Sequence, residues 1–352
     1  MSVRLLIPLL ICLCLSNAQA APSPAGPFVI FLAATGSDEN GGLSRHSPIL
    51  SLGKAQDILL DVDPNQDVEI QIAPGTYYDQ RVRWEFTMEN RIVRFMPLDD
   101  TKIRPTFDGC PGPNVDPSDC GGGTWFTLQA ATGENTNIHF DYIRVQRYGT
   151  AISFNGNRNS PARFNGANRV YGSYFRDIGN GFNTDLSPST AAIRLVNSDN
   201  NILRNNHFVD VRNIGQGSRL IHAIYVAHQS SGNEIVGNRI VNVSGDAIRL
   251  RDASNDNLIV RNRISRSGTF GFSDWYCDRE KRGNCTKQAP ECPSWENTFR
   301  NNVLDGTYRC EPMAISEFYQ DEMPRRCEPP VENARRLHKD GNTVTADPCS
   351  FG

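Results

Sequence analysis

One short phrase recurs along the chain and constrains its fold more than any other feature. It consists of an asparagine, an apolar residue two places later, a second asparagine three places after that, and another apolar residue two further on. Full copies occupy residues 201–208, 233–240, 257–264 and 297–304, and a weaker copy begins at Asn168. Repeats of this kind are typical of a chain wound into stacked coils, in which equivalent positions of successive coils form straight ladders.

A second phrase, a small residue directly before an apolar one, marks a short strand in each coil. It includes Ala192-Ile193, Ala223-Ile224, Ala247-Ile248 and Gly271-Phe272, and the apolar members are separated by 31, 24 and 24 residues. Steps of this length suit a coil built from three short strands, with loops inserted where the step is longer. The sequence therefore predicts an all-β solenoid, a parallel β-helix whose rungs repeat about every 4.8 Å.

The second asparagine of each full copy is expected to be structural. Asparagine tolerates left-handed backbone geometry at a turn, and stacked side-chain amides hydrogen-bond along a ladder. We therefore expect no catalytic role for Asn206, Asn238, Asn262 and Asn302.

The segment 27–100 is expected to open and cap the coil stack. Its pattern predicts a strand over 28–32, a helix over 51–60 with Ser51 as N-cap, and an alternating strand over 68–72. A helix at this end would cover apolar core and unpaired strand edges. The order of strand, GSD-containing loop, short helix, strand and PGTY turn resembles the N-terminal cap of pectate-lyase-like right-handed parallel β-helix proteins.

The N-terminus reads as a secretory signal peptide over residues 1–20, cleaved after Ala20, because Arg4 precedes an apolar run and a small-residue cleavage site. The protein is thus expected to be secreted or periplasmic. A single β-helix domain is predicted over 21–320. It comprises the cap and first coils over 27–100, a Gly/Pro-rich loop over 101–130 and the repeat coils over 131–320, and a cysteine-containing tail follows over 321–352. We expect no membrane span and a monomer.

Eight cysteines remain after signal cleavage, and an even number in an exported chain indicates disulfides. Cys110 and Cys120 flank a short Pro/Gly-rich loop and are predicted to pair. The other six are expected to pair among themselves and tie the tail to the coils, in one of about fifteen arrangements that the sequence leaves open. They are Cys277, Cys285, Cys292, Cys310, Cys327 and Cys349. A zinc site is the rival interpretation, disfavoured because paired C-x-x-C elements are missing.

The charge balance disfavours a nucleic-acid partner. Lysine and arginine number 36 against 39 aspartate and glutamate, giving a formal net charge of −3. This balance removes the electrostatic case for a nucleic-acid partner, although it hides a local basic stripe. We expect no cofactor. Calcium is the alternative, at the acidic loop 38–40 or at Asp116 and Asp119, where oxygen ligands are available.

Candidate functional residues follow the apolar members of the second phrase. Side chains alternate along a strand, so the residues after Ile193, Ile224 and Ile248 should point outward. The predicted exterior column consists of Ser153, Arg194, Tyr225, Arg249, Ser273 and Ser316, with Arg251 beside Arg249. Like charges on neighbouring strands are unfavourable. The column therefore indicates an anion-binding groove or, alternatively, a solvated face on which Asp246 and Asp252 offset the arginines.

Two histidines bracket the Tyr225 strand. By parity with Ile224, His222 and His228 would face inward, and they are expected instead at the two turns, leaning over the groove. Asp246 is a candidate to orient a histidine. Removal of the C5 proton of a uronate requires a cation for the carboxylate, a base and an acid. Arginine suits carboxylates, and histidine or a desolvated tyrosine suits proton transfer.

In residue type and expected strand placement, the column resembles the sites of polysaccharide lyases and mannuronan C5-epimerases of the right-handed β-helix superfamily. The resemblance implies an enzyme that abstracts the C5 proton of an acidic, uronate-containing polysaccharide, with a β-eliminating lyase favoured over a C5-epimerase. It assigns catalysis to Tyr225, His222 and Arg249, and substrate binding to Arg194, Arg251, His228 and Asp246. The cation that neutralises the carboxylate is expected to be Arg194 or Arg249, with His222 and Tyr225 as the proton-transfer pair. Two rival interpretations are a non-catalytic glycan-binding or envelope β-helix protein and a glycoside hydrolase.

Overall fold

The computed structural model describes residues 26–277, 291–319, 323–324 and 327–349. The predicted signal peptide and Cys285 lie outside these residues. Within the described ranges, every helix is too short or too polar to cross a membrane.

The described strands form three long parallel sheets around one apolar core, so the chain is a right-handed parallel β-helix as predicted. Successive coils place Ile193 opposite Ile224, Ile224 opposite Ile248, and Ile248 opposite Phe272. All four side chains are buried. The predicted coil period is therefore confirmed, and each step of the second phrase corresponds to one turn of the solenoid.

Within the described residues, the strands of each sheet stack in chain order from the N-terminal end of the solenoid. The ten-stranded sheet contains Phe28–Leu32, Val68–Ile72, Val93–Pro97, Ile138–Asp141, Arg169–Tyr171, Ile202–Arg204, Glu234–Val236, Leu258–Val260, Asn297–Arg300 and Leu337–Asp340. The nine-stranded sheet contains Thr76–Tyr78, Thr106–Asp108, Arg144–Gln146, Tyr174–Ile178, His207–Val211, Arg239–Val243, Arg263–Ser267, Val303–Asp305 and Thr343–Val344. The eight-stranded sheet contains Val82–Trp84, Thr124–Gln129, Thr150–Asn155, Ala191–Val196, His222–Ala227, Ile248–Arg251, Phe270–Trp275 and Ala314–Phe318. A small sheet pairs Asn165–Gly166 with Ser198–Asp199.

The N-terminal end is capped as expected. Helix Leu52–Val62 begins after Ser51, whose side-chain oxygen accepts a hydrogen bond from the Lys54 amide at 3.1 Å. Its buried face, Leu52, Ala55 and Leu59, packs on the first coils and removes their apolar side chains from water. Short 3₁₀ helices occupy Leu98–Asp100, Pro117–Asp119 and Gly215–Leu220.

The segment 101–130, expected to be a loop, carries two strands. Thr106–Asp108 and Thr124–Gln129 join the nine- and eight-stranded sheets, and the irregular part lies between them. Phe107, Phe126 and Leu128 are buried in the core. The two short apolar strands were missed because glycine and proline dominate the composition around the cysteines.

The asparagine repeats form buried ladders between coils. The Asn238 amide nitrogen and side-chain Nδ2 donate to Asn262 Oδ1 at 2.9 and 3.0 Å, and Asn262 makes the same pair of bonds to Asn302. The predicted amide ladder is thus confirmed, but the predicted left-handed geometry is wrong. Positive φ belongs to the preceding residue of each turn, such as Gly237 at 66°. The residue before the asparagine therefore adopts the left-handed conformation of the turn, and the asparagine amide donates to the ladder.

The three disulfides whose partners the structure describes follow the predicted grouping. Cys110 pairs with Cys120, and the tail is tied to the coils by Cys292–Cys327 and Cys310–Cys349. Cys277 is also disulfide-bonded. The bridges among the later cysteines hold residues 327–349 against the last coils.

Candidate functional site

The outer face of the eight-stranded sheet carries the predicted column. Arg194 lies opposite Tyr225, and Tyr225 lies opposite Arg249, on three successive strands. Ser153 continues the column beyond Arg194, and Ser273 continues it beyond Arg249.

The prediction for Ser316 is wrong. Ser316 lies opposite Phe272, and Glu317 takes the place opposite Ser273. The last strand pairs Ala314 with Phe270, so its small-apolar phrase is one residue out of register with the phrase of the preceding strand. The column therefore ends on a carboxylate instead of a hydroxyl.

The alternation of the Tyr225 strand is interrupted at its start, and this corrects the predicted position of His222. The strand begins at His222, yet both Ala223 and Ile224 pack in the core. His222 consequently lies on the outer side, where its ring stacks on that of Tyr225 with centroids 5.8 Å apart and planes 13° apart. It is neither inward-facing nor in a turn.

A cavity of about 540 Å³ opens on this face, and we call it the groove. Its polar and charged lining includes Asn155, Arg158, Arg194, Tyr225, His228 and Arg251. Three guanidinium groups, an imidazole and a phenol thus share one depression. The groove is basic within a chain that is acidic overall.

Arg194 is the least compensated cation of the groove. Its Nε donates to Ser153 Oγ at 3.0 Å and its Nη2 approaches Asn155 Oδ1 at 3.4 Å, and neither partner carries a charge. Among the described residues it forms no ion pair. Burial lowers the pKa of Arg194, and the nearby Arg158 adds to this effect. An anion in the groove would relieve both penalties.

Tyr225 and Arg251 are held by a buried carboxylate. Arg251 donates to both carboxylate oxygens of Glu291 at 2.7 and 2.9 Å, packs on Trp275, and donates to the Tyr225 hydroxyl at 3.2 Å. Burial raises the pKa of Tyr225, although Arg251 opposes the effect. Tyr225 is therefore a phenol at neutral pH, with its hydroxyl oriented by a fixed guanidinium.

His228 presents its second ring nitrogen to the groove. Its Nδ1 lies 2.9 Å from Asp252 Oδ2, and its Nε2 lies 3.2 Å from Arg158 Nη2. The Asp252 contact places the ring proton on Nδ1, because a carboxylate only accepts, and leaves a lone pair on Nε2. Burial lowers the pKa of His228 against the opposing effect of Asp252. The neutral, base-competent form therefore dominates at neutral pH. As predicted, His228 lies in a turn, with φ of 55°.

His222, Asp246 and Arg249 form a second group beside the groove. The His222 Nδ1 lies 2.6 Å from the backbone oxygen of Asp246, whereas the Asp246 carboxylate binds Arg249 at 2.7 Å. Asp246 thus orients a histidine as expected, but through its carbonyl. Burial and Arg249 lower the pKa of His222 to about 3. His222 is only 3% exposed. Its ring therefore packs against Tyr225 and has little contact with solvent.

One cluster among the described residues has metal-ligand types at metal-ligand spacing. His228, Asp252 and Glu291 offer ligand atoms within 4.8 Å of one another, and all three are buried. However, Asp252 already binds His228, and Glu291 is held by Arg251 and by the Cys277 amide. The cluster is therefore a compensated hydrogen-bond network.

The two loops considered for calcium use their carboxylates locally. Asp38 accepts from the backbone amides of Leu50 and Ser51 at 2.9 Å each, and Asp116 accepts from the Ser118 amide at 2.8 Å. These bonds are typical of turns and caps. The absence of a cofactor stays a prediction, with calcium at either loop as its alternative.

Sequence reasoning missed two contributors to the groove. Arg158 comes from a loop between strands, and Glu291 follows an insertion between Trp275 and the next asparagine phrase. Neither position repeats along the chain, so the repeat could not assign a place to them. The one available signal was the length of the coil interval, because longer steps indicate inserted loops.

The chain is similar to known proteins mainly in fold. Residues 125–316 match the family model described as "Periplasmic copper-binding protein (NosD)". No curated protein matches the chain. A rhamnogalacturonan lyase structure aligns over 79% of this chain and 68% of its own, at 15% identity and a TM-score of 0.52.

Two further structures give similar alignments. A pectate lyase aligns over 91% of this chain and 80% of its own, at 14% identity and a TM-score of 0.48. A periplasmic alginate epimerase aligns over 82% and 57%, at 13% identity and a TM-score of 0.48. At such identities the likeness concerns the fold alone.

Proposed function

The chain belongs to the NosD family, and we propose that this member acts on an acidic, uronate-containing polysaccharide by abstraction of the C5 proton. A location in the periplasm or outside the cell is part of the proposal. It is supported by the disulfides, which persist in oxidising compartments, and by the family's description as periplasmic.

The observation that carries the proposal is the uncompensated guanidinium of Arg194 in a groove that also holds a neutral imidazole and a neutral phenol. A uronate carboxylate bound to Arg194 would supply the missing countercharge, and the planar fork favours a bidentate contact. Neutralisation of that carboxylate is also what makes the C5 proton acidic. Binding and activation would therefore use the same contact.

We assign the base to His228. Its Nε2 lone pair accepts a hydrogen bond from Arg158 at the groove, so Arg158 would have to release it when substrate binds. Asp252 would then stabilise the imidazolium that forms when the C5 proton is taken. The sequence placed His228 only in substrate binding. The Asp252 contact gives it a better claim to proton abstraction than His222, which lines neither the groove nor the neighbouring cavity.

We assign the acid to Tyr225. In elimination, His228 removes the proton from C5, a double bond forms between C4 and C5, and the C4–O4 bond breaks. The Tyr225 hydroxyl then gives its proton to the departing O4, and Arg251 stabilises the resulting phenolate. If O4 does not leave, a proton returned to C5 from the opposite face gives the epimer. Lyase and epimerase chemistry therefore need the same three groups.

His222 and Arg249 have supporting roles in this proposal. His222 holds the Tyr225 ring by stacking, and Arg249 is occupied by Asp246. Arg251 orients the Tyr225 hydroxyl. The proposal thus keeps Tyr225 among the catalytic residues and, of the two arginines that the sequence offered as neutraliser of the carboxylate, chooses Arg194.

Copper binding, the property in the family's description, does not fit the described residues of this chain. Copper favours imidazole and sulfur ligands. The His228, Asp252 and Glu291 cluster has one imidazole and two carboxylates that already have partners. The described cysteines are in disulfides. We therefore derive no step through copper.

Glycoside hydrolysis is the second candidate function. Asp246 and Glu317 line a neighbouring cavity of about 450 Å³. Burial and the nearby Asp246 raise the pKa of Glu317. In Asp246, burial is outweighed by Arg249 and other donors, so its pKa is lowered. Carboxyl groups with pKa values pushed apart suit an acid and a base.

The test is incubation of the mature protein with a panel of uronate polymers. Ultraviolet absorbance of unsaturated ends would reveal elimination, and proton NMR of C5 would reveal epimerisation. New reducing ends without unsaturation, lost in Glu317→Gln and retained in Tyr225→Phe, would favour hydrolysis instead. Binding without any turnover would leave a glycan-binding protein and overturn the proposed chemistry.

A further inference from the structure

A second line of outward side chains, three of them arginines, lies on the outside of the nine-stranded sheet, away from the groove. Its members start five successive strands and are paired in register, rung by rung. We call it the outer row, and it consists of Arg144, Tyr174, His207, Arg239 and Arg263. It spans four rung steps, or about 19 Å along the solenoid axis.

The outer row concentrates like charges that the fold does not require there. Arg239 lies directly opposite Arg263 on the next strand, and like-charged pairs of this kind destabilise a sheet. Asp305 compensates Arg263 at 2.8 Å, whereas Arg239 has no ion-pair partner among the described residues. Burial, Arg239 and Arg104 lower the pKa of His207. A countercharge from outside the chain would remove this repulsion.

The narrow shape of the outer row favours a linear anionic partner over a flat one. The row is narrow, because the next outward positions on the strands of His207 and Arg239 are Val209 and Val241. Among the described residues, Arg176 is the one cation in that neighbouring column. A broad anionic membrane needs a wide basic plane, whereas a linear polyanion needs a line of charges along its length. The rungs supply such a line at a regular spacing.

We propose that the outer row binds an acidic polysaccharide chain lying along the solenoid axis and so captures the polymer apart from the groove. This inference rests on the proposed function only for the choice of polymer. Long polymers would engage both surfaces of one or neighbouring molecules, whereas an oligomer of a few sugars would fill the groove alone.

The experiment measures binding of alginate and polygalacturonate, as long polymers and as trisaccharides, to proteins in the non-reacting Tyr225→Phe background. Arg239→Glu removes a cation from the centre of the row. Arg91→Glu makes the same charge change at an exposed position outside the row and serves as control. We expect Arg239→Glu to weaken long-polymer binding roughly fivefold to tenfold, more at low salt, and to leave trisaccharide binding unchanged. Equal binding by the two variants would overturn the inference.

The Arg194→Ala variant separates this inference from the proposed function. If Arg239→Glu loses long-polymer binding and Arg194→Ala keeps trisaccharide binding, the outer row stands and the groove assignment fails. If Arg194→Ala loses trisaccharide binding and Arg239→Glu binds long polymer as well as Arg91→Glu does, the groove stands and the row fails. If neither long polymer binds, the row proposal is overturned, and turnover of the trisaccharides by protein with Tyr225 intact judges the groove separately.

A spectroscopic readout reports occupancy of the row directly. Carboxylates bound beside His207 would raise its pKa from the lowered value set by burial, Arg239 and Arg104. We expect polymer addition to move the NMR titration midpoint of His207 upward and leave that of His139, on the ten-stranded sheet, in place. An unchanged His207 midpoint at saturating polymer would contradict binding at the row.

Discussion

Two columns of polar side chains run along this molecule, and they satisfy their hydrogen bonds in different ways. In the asparagine ladders each buried amide meets an identical amide one coil away, as Asn238 meets Asn262. In the groove column each residue meets a different neighbour, and Arg194 is left with neutral partners only. Where the same residue recurs from coil to coil, its side chain thus satisfies the backbone and side-chain hydrogen bonds of its neighbour. Where the residue changes from coil to coil, a charged group such as the Arg194 guanidinium is left without a charged partner among the described residues.

The largest effect on turnover is expected from a substitution in the groove column that removes a reacting group and keeps the shape of the side chain. Tyr225→Phe removes one hydroxyl and keeps the ring stacked on His222, so turnover of the uronate substrate should fall by about 10²–10⁴-fold. Thermal unfolding should stay close to wild type, because the hydroxyl has one hydrogen bond to Arg251. Full activity in this variant would remove Tyr225 from the reaction.

A smaller loss is expected from Arg194→Lys, which keeps the charge and removes the planar fork. We expect kcat/KM to fall by about tenfold to a hundredfold, because the ammonium group cannot hold the carboxylate in a bidentate contact. Arg249→Lys is the matched control on the same column. Its guanidinium already binds Asp246, so a loss there as large as in Arg194→Lys would contradict our choice of neutraliser.

A substitution in an asparagine ladder should lower the stability of the protein and leave its turnover unchanged. Asn238→Ala leaves the Asn206 backbone amide without its acceptor, so the free energy of unfolding should decrease by about 1–3 kcal/mol. Turnover well below the unfolding temperature should be unchanged. Asn65→Ala, at an exposed loop position, is the control for denaturant titration. Equal stability of the two variants would show that the ladder contributes nothing.

His222 combines features of both columns, since it lies on the groove face but is fixed by a backbone carbonyl. Glutamine can keep the bond to the Asp246 oxygen, so His222→Gln should lower turnover by less than about tenfold through looser packing on Tyr225. Steady-state kinetics beside Tyr225→Phe measure the difference. Losses of the same size in both variants would return proton transfer to His222, as the sequence suggested.

The smallest change in kcat/KM is expected when the pH is raised from neutral to mildly alkaline. Burial lowers the pKa of the His228 base and raises the pKa of the Tyr225 acid, so both stay in their active forms across this range. We expect kcat/KM to change by less than about twofold between about pH 7 and 9, with activity falling only as acid protonates His228. An acid limb centred above the ordinary histidine pKa would contradict the assignment.

The sequence predicts those features that repeat. The coil period, the register of Ile193 with Ile224, and the outward column all follow from one phrase and strand alternation. Prediction fails where coils differ. The adjacent core residues Ala223 and Ile224 turn His222 outward, and the last strand brings Glu317 into the column. Contacts from non-repeating loops depend on the path of the loop in space, which no local pattern records.

The position of Glu291 has a consequence for how the groove should respond to a reductant. This carboxylate holds Arg251, and through it the Tyr225 hydroxyl, and it lies beside Cys292, whose bridge to Cys327 anchors it to the tail. Reduction of that bridge would release the anchor on one side of Glu291, while the backbone pairing of the coils would stay in place. We therefore expect the groove to lose its order before the solenoid unfolds.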